Sequence, residues 1–89
     1  MRFQNKIVVV TGAGQGLGAR FAEDFCSEGA SVMLLGRTKD KVDAVAKSIA
    51  SSGGKAFSFG CDVGDSADVA RVFDEIQRMH GPVDILINN

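Results

Sequence analysis

No tryptophan and no tyrosine occur among the 89 residues, and there is only one proline, one histidine and two cysteines. Cys26 and Cys61 stand far apart, with no Cys-x-x-Cys pair, so neither a zinc site nor a disulfide scaffold fits. An excess of positive charge is missing too. Ten Lys and Arg face eleven Asp and Glu, a formal net charge of −1, whereas a domain that neutralises nucleic-acid phosphates is far more basic. Long apolar runs are also absent. Ile7-Val8-Val9-Val10 is too short for a membrane span or for the core of a secretory signal. These absences predict a reduced, soluble, cytoplasmic chain that uses neither nucleic acid nor a membrane as partner.

What is present is ordinary globular material. Hydrophobic residues make up 45% and charged residues 24%, values that argue against disorder. Size scaling allows a chain of this mass to bury roughly 63% of its unfolded surface, enough for one modest core and one domain.

Along the chain, apolar strands alternate with amphipathic helices. Lys6–Val10 is a short β-branched run of the kind found in strands covered on both faces. A glycine-dense stretch, Thr11 to Gly18, leads into a helical period from about Gly16 to Glu28, with Leu17, Phe21 and Phe25 on one face and Gly29 as its C′ residue. Ser31–Leu35 reads as a second strand. Thr38 caps a second helix with Val42, Val45, Ala46 and Ile49 at helical spacing, ended by Ser51-Ser52-Gly53-Gly54. Ala56–Phe59 alternates as a third strand. Asp65 or Ser66 caps a third helix whose buried stripe is Val69, Val72, Phe73, Ile76 and Met79. Gly81-Pro82 breaks it, and Asp84–Ile87 is a fourth strand. His80 reads as a surface residue whose charge suits a helix C-terminus.

This alternation predicts parallel βαβ units with right-handed crossovers, the α/β pattern of a doubly wound Rossmann-type sheet. The compatible order is 3-2-1-4, with the first two helices on one face and the third on the other. The order reverses between strands one and four, which places a ligand beyond their C-terminal ends, beside Gly12 and Asn89.

The strongest chemical signal is Thr11-Gly12-Ala13-Gly14-Gln15-Gly16-Leu17-Gly18 between a strand and a helix. Glycines there permit a tight turn and a close approach of phosphate to backbone, while the helix N-terminus offers unpaired N–H groups and partial positive charge. It is not a P-loop, because no Gly-Lys-Ser/Thr follows at the required distance. Gly14, Gly16 and Ala19 give a loose G-x-G-x-x-A; Gly12, Gly14 and Gly16 give the G-x-G-x-G that many methyltransferases use for S-adenosylmethionine. The end of the second strand discriminates among dinucleotides. NAD-binding enzymes place a carboxylate there for the ribose hydroxyls, but this sequence has Gly36 followed by Arg37. Gly36 leaves room for a 2′-phosphate and Arg37 can pair with it, which favours NADP(H), with NAD(H) as the alternative.

Thr11-Gly12-x-x-x-Gly16-x-Gly18, Cys61-Asp62-Val63 and Asp84-Ile85-Leu86-Ile87-Asn88-Asn89 together resemble the short-chain dehydrogenase/reductase family. They resemble its T-G-x-x-x-G-x-G loop, its Asp-Val element and the start of its D-x-L-x-N-N-A-G strand. The resemblance implies that Gly12 and Gly16 to Gly18 form the pyrophosphate turn, with Ala13, Gly14 and Gln15 lining it and Leu17 within it. It implies Arg37 on the adenosine 2′-phosphate, Asp62 and the Val63 backbone at the adenine, Asn88 tying the fourth strand to Thr11, and Asn89 at the adenosine ribose. It also implies a carbonyl or alcohol substrate and a homo-oligomeric intact protein.

The departures from the family pattern are substantial. The family's catalytic Tyr-x-x-x-Lys and its serine lie well beyond position 89 in members of usual length, and this chain has no tyrosine. Without it no positioned acid or base serves the substrate oxygen. Gln15 is neutral where some NADP-preferring members carry a basic residue. The expectation is the N-terminal, cofactor-binding part of an NADP(H)-dependent oxidoreductase, inactive by itself. A methyltransferase half-fold and a short non-catalytic nucleotide-binding module remain as alternatives.

Overall fold

Three β-branched valines in a row disfavour helix and suit a pleated, two-sided core position. In the computed structural model, which describes residues 2–89, they form the centre of β1, Ile7–Thr11, and Val8, Val9 and Val10 are fully buried. The chain continues through α1 (Gly16–Ser27), β2 (Ser31–Gly36), α2 (Lys39–Ser51), β3 (Lys55–Gly60), α3 (Ser66–His80) and β4 (Ile85–Ile87). All strand pairings are parallel and the order is β3-β2-β1-β4, as the alternation predicts.

The strand period of two divides the core between the sheet's faces. Val8, Val10, Val32 and Leu34 meet Ala22 of α1 and Val42 and Ile49 of α2. Val9, Met33, Leu35 and Phe59 meet Val72 and Ile76 of α3. Full burial of each such aliphatic side chain contributes about 1.5–3 kcal/mol. Truncating the fully buried Ile76 to alanine would therefore cost about 2–5 kcal/mol.

Element ends follow local chemistry. Glycines with positive φ stand just beyond each helix: Gly29 at 92°, Gly53 at 89° and Gly81 at 107°. β4 starts one residue later than its sequence pattern suggests because Asp84 has another task. Its Oδ2 accepts the Ile7 N–H at 2.8 Å and its own N–H donates to the Ile7 carbonyl at 2.9 Å, clamping the start of β1.

Three expectations about helix faces are corrected. Leu17 is 61% exposed, because α1 lays its small side, Gly18 and Ala22, on the sheet. Met79 is 65% exposed at the outer margin of β3, where the described residues supply no further element to cover it. His80 is not a plain surface residue: its ring lies 4.4 Å from that of Phe57, and its Nε2 is buried without a hydrogen-bond partner. No described helix is long and apolar enough to cross a membrane, and no described cluster of His, Cys, Asp or Glu could hold a metal.

Candidate functional site

At the C-terminal end of β1 the chain reverses within a few residues. Gly12 has φ of 60° and Gly16 has φ of 61°, a left-handed region that costs other residues energy. A Cβ on Gly18 would collide with the Gly12 carbonyl oxygen, so only glycine allows α1 to begin so close to the strand. A Cβ on Gly16 would meet nothing within 4 Å, which marks the open side of the loop. Ala13 points the other way. It is fully buried and its N–H is spent on the Leu35 carbonyl at 3.1 Å, so it is a strut that ties the loop to β2.

The start of α1 is left unpartnered. Its N-cap, Gln15, makes no side-chain cap bond, and its first turn contains no acid. By contrast, the Asp65 carboxylate caps α3, accepting from Ala67 N–H at 3.0 Å and Asp68 N–H at 3.3 Å. The first N–H groups of α1 thus carry the partial positive charge of a helix start with no acid in that turn to balance it.

Beside this loop lies a pocket of about 240 Å³ lined by Gly12, Gly14, Gln15, Gly36, Arg37, Thr38 and Lys41. No carboxylate lines it. Arg37 is exposed and forms no ion pair among the described residues, whereas Lys39, Arg71 and Arg78 are paired with Asp43, Asp68 and Asp74. Lys41 Nζ reaches across to Gln15 Oε1 at 3.3 Å. Gly36 is a glycine for a packing reason as well, since Val42 Cγ1 lies 2.7 Å from where its Cβ would stand.

On the other side, Thr11 joins β1 to the segment after β4. Its Oγ1 accepts the Asn89 N–H at 3.0 Å and lies 3.3 Å from Asn88 Oδ1 and 3.4 Å from the Ile87 carbonyl. Asn89 Nδ2 donates to the Gly12 carbonyl at 3.3 Å. Beyond β3, Asp62 Oδ1 accepts the Gly64 N–H at 2.9 Å, and the Asp62 N–H is held by Asp68 Oδ2 at 2.7 Å. That bond, and then Arg71, keep the Asp68 carboxyl below the usual carboxylate range. Burial pushes the Cys61 thiol up, which makes it a poor nucleophile.

The profile of the short chain dehydrogenase family matches residues 6–89. The chain belongs to the short-chain dehydrogenase family. It is 43% identical over all of its 89 residues to meso-2,3-butanediol dehydrogenase of Serratia marcescens, covering 35% of that protein. A metagenomic short-chain oxidoreductase solved in complex with NADP superposes with a TM-score of 0.92 at 36% identity, over 97% of this chain and 39% of that one. An oxidoreductase of Haemophilus influenza solved with bound NAD gives 0.91 at 33% identity, over 96% and 30%. The chain spans about a third of the length of the first curated relatives it matches. Of these two solved relatives, one holds NADP and the other NAD.

Against that family background, the structure gathers Gly12, Gly14, Gln15 and Arg37 around one pocket, and sets Asn89 against Gly12. Gly16, Leu17 and Gly18 form the adjoining start of α1. Asp62 and the 52% exposed Val63 lie beyond the C-terminal end of β3, outside the pocket lining. Sequence reasoning missed Thr38 and Lys41. Lys41 lies in the first turn of α2, and the available signal was its nearness in sequence to Arg37. A larger groove, about 680 Å³, lies elsewhere, along β3 between α2 and α3.

Proposed function

We propose that residues 1–89 are the N-terminal, NADP(H)-binding part of the Rossmann domain of a cytoplasmic oxidoreductase acting on a carbonyl or alcohol. The observation that carries this reading is the carboxylate-free pocket with two unpaired cations beside an uncapped glycine-loop helix. An acid-lined pocket would repel a 2′-phosphate; this one attracts it. The open side of Gly16 and the unpartnered N–H groups of α1 fit a pyrophosphate.

Gly12, Gly14 and Gly16 to Gly18 seat the pyrophosphate, with Gln15 and Leu17 bordering it and Ala13 bracing the turn from beneath. Arg37 pairs with the 2′-phosphate. Asp62 keeps Oδ2 for the adenine amino group while Oδ1 holds its own turn, and the Val63 backbone lies beside the ring. Asn89, anchored on Gly12 and Thr11, faces the adenosine ribose. When bound, the cofactor supplies or accepts a hydride at nicotinamide. With no tyrosine, these 89 residues hold no family-type proton donor for the substrate oxygen, so alone they give no turnover. The complete polypeptide is a homo-oligomer in this reading.

Titration of NADPH and NADH against the complete polypeptide and its Arg37→Ala variant, at fixed salt, tests the assignment. A charge-assisted bond lost from Arg37 weakens NADPH by about ten- to a hundredfold and leaves NADH nearly unchanged. Equal weakening of both overturns the NADP(H) preference. Absence of NADPH-dependent carbonyl reduction by a folded, cofactor-loaded complete polypeptide overturns the oxidoreductase reading.

A further inference from the structure

We propose that Lys41 is a second 2′-phosphate-selecting cation, held over the glycine loop by Gln15, and that it replaces the basic residue the loop lacks. The inference deepens the NADP(H) reading and rests on it.

Three features separate Lys41 from a solvated helix lysine. Its base is set against the loop: a Cβ on Gly14 would lie 3.0 Å from Lys41 Cβ, while the side chain as a whole is exposed. Its ammonium is directed: Nζ donates to Gln15 Oε1 at 3.3 Å, which holds the charge over the pocket mouth. Its charge is not cancelled. Lys39 finds Asp43 four residues on, but the residue four after Lys41 is Val45, and no ion pair involves Lys41 among the described residues. Asp40, on the same first turn, does not line the pocket.

Arg37 and Lys41 both line the pocket, so a dianion bound there meets two positive charges. Gln15 is suited to its part because it is neutral. A carboxylate at that position would orient the ammonium and cancel its charge together; an amide orients it and leaves the charge for a phosphate.

The test titrates NADPH, NADH and 2′,5′-ADP against the complete polypeptide carrying Lys41→Met, Lys41→Arg, Gln15→Glu or Arg37→Ala. Met keeps an unbranched stem at an exposed helix position, so folding is preserved and the charge is lost. Lys41→Met is expected to weaken NADPH and 2′,5′-ADP by about tenfold and NADH by less than about twofold, with Lys41→Arg close to the parent. Gln15→Glu lowers NADPH affinity in the same direction, and raising salt narrows every difference. If Lys41→Met weakens all three ligands equally, or none, while Arg37→Ala stays selective for the phosphorylated ones, Lys41 is a surface lysine and the proposal is overturned. If neither variant is selective, the NADP(H) reading itself falls.

Discussion

Val42 stands where a side chain on Gly36 would have to go: its Cγ1 lies 2.7 Å from the Cβ position of residue 36. Val42 is fully buried between sheet and helix and cannot swing aside. The glycine at the end of β2 therefore has a steric cause in addition to its consequence for cofactor charge, and the two can be separated. Gly36→Asp alone is expected to destabilise the protein by about 1–3 kcal/mol through overpacking. Adding Val42→Ala relieves the collision, so the pair behaves non-additively and the double variant melts above Gly36→Asp. NADH affinity improves only in the double variant, where the carboxylate can sit without deforming the pocket. Urea melts and cofactor titrations of the three variants read this out. A Gly36→Asp protein as stable as the parent would remove Val42 from the explanation.

Gly16 and Gly18 lie in one loop but are glycines for different reasons. At Gly16 the φ of 61° is the constraint and space is free, so Gly16→Ala is expected to cost about 1–2 kcal/mol of backbone strain. At Gly18 the backbone is helical, where alanine would normally gain about 1 kcal/mol. There, however, the new methyl meets the Gly12 carbonyl oxygen, which is backbone and cannot yield cheaply. Gly18→Ala should be the more damaging change, at about 3 kcal/mol, and should displace the helix start from the strand. Thermal denaturation of the two variants gives the order directly, and the reverse order would show that α1 can slide.

Much of this was legible in the sequence because it is local. The alternation of Lys6–Val10, Ser31–Leu35, Ala56–Phe59 and Asp84–Ile87 with helical periods predicts the sheet, and crossover handedness restricts its order. The Thr11–Asn88 contact, implied by the family resemblance, is present at 3.3 Å. What was not legible depends on which side of a helix meets the sheet. In α1 the periodicity of Leu17, Phe21 and Phe25 suggested a large apolar stripe, but close packing at Gly18 and Ala22 turned Leu17 outward. Met79 fits the stripe of α3 in spacing, yet the stripe outruns the sheet beneath it. The Lys41–Gln15 contact joins stretches 26 residues apart and the Val42–Gly36 approach depends on how the chain turns between β2 and α2, and no sequence period reports either.

Thr11 connects the glycine loop to the end of β4 through one hydroxyl. Its Oγ1 accepts the Asn89 N–H at 3.0 Å, and its proton can go to Asn88 Oδ1 or the Ile87 carbonyl. Thr11 is only 6% exposed, so water cannot readily replace these bonds. Thr11→Val keeps the shape and removes the oxygen, so the Asn89 N–H loses this partner at a cost of about 1 kcal/mol. Thr11→Ser keeps the oxygen and should retain most of the stability. Hydrogen exchange at Asn89 should accelerate in Thr11→Val alone; equal exchange in both variants would mean the hydroxyl is not what orders this segment.

The carboxylates of Asp43 and Asp68 make stability depend on acid. The Lys39 ammonium and then the Ser58 hydroxyl hold the Asp43 carboxyl below its usual range, and the Asp62 N–H followed by Arg71 does the same for Asp68. Both groups bind protons more weakly folded than unfolded. Their stabilisation is therefore complete above the ordinary carboxylate value of about 3.9 and is lost as pH falls below it through the folded values. Both side chains are solvent-accessible, so the effect is modest and shrinks in salt. Melting temperature should stay flat from neutral pH down to about 5 and decline below about 4. Asp68→Asn removes its share of that decline: the variant is less stable than the parent near neutrality and the two curves converge in acid. Because Asp68 also holds the Asp62 N–H at 2.7 Å, the same variant should loosen the turn beside the proposed adenine position. Cofactor affinity measured at neutral pH should then fall in Asp68→Asn but not in Asp43→Asn, which carries a similar charge and lies on α2 away from that turn. Parallel acid curves for parent and Asp68→Asn would show that the carboxylate gains nothing from its partners on folding.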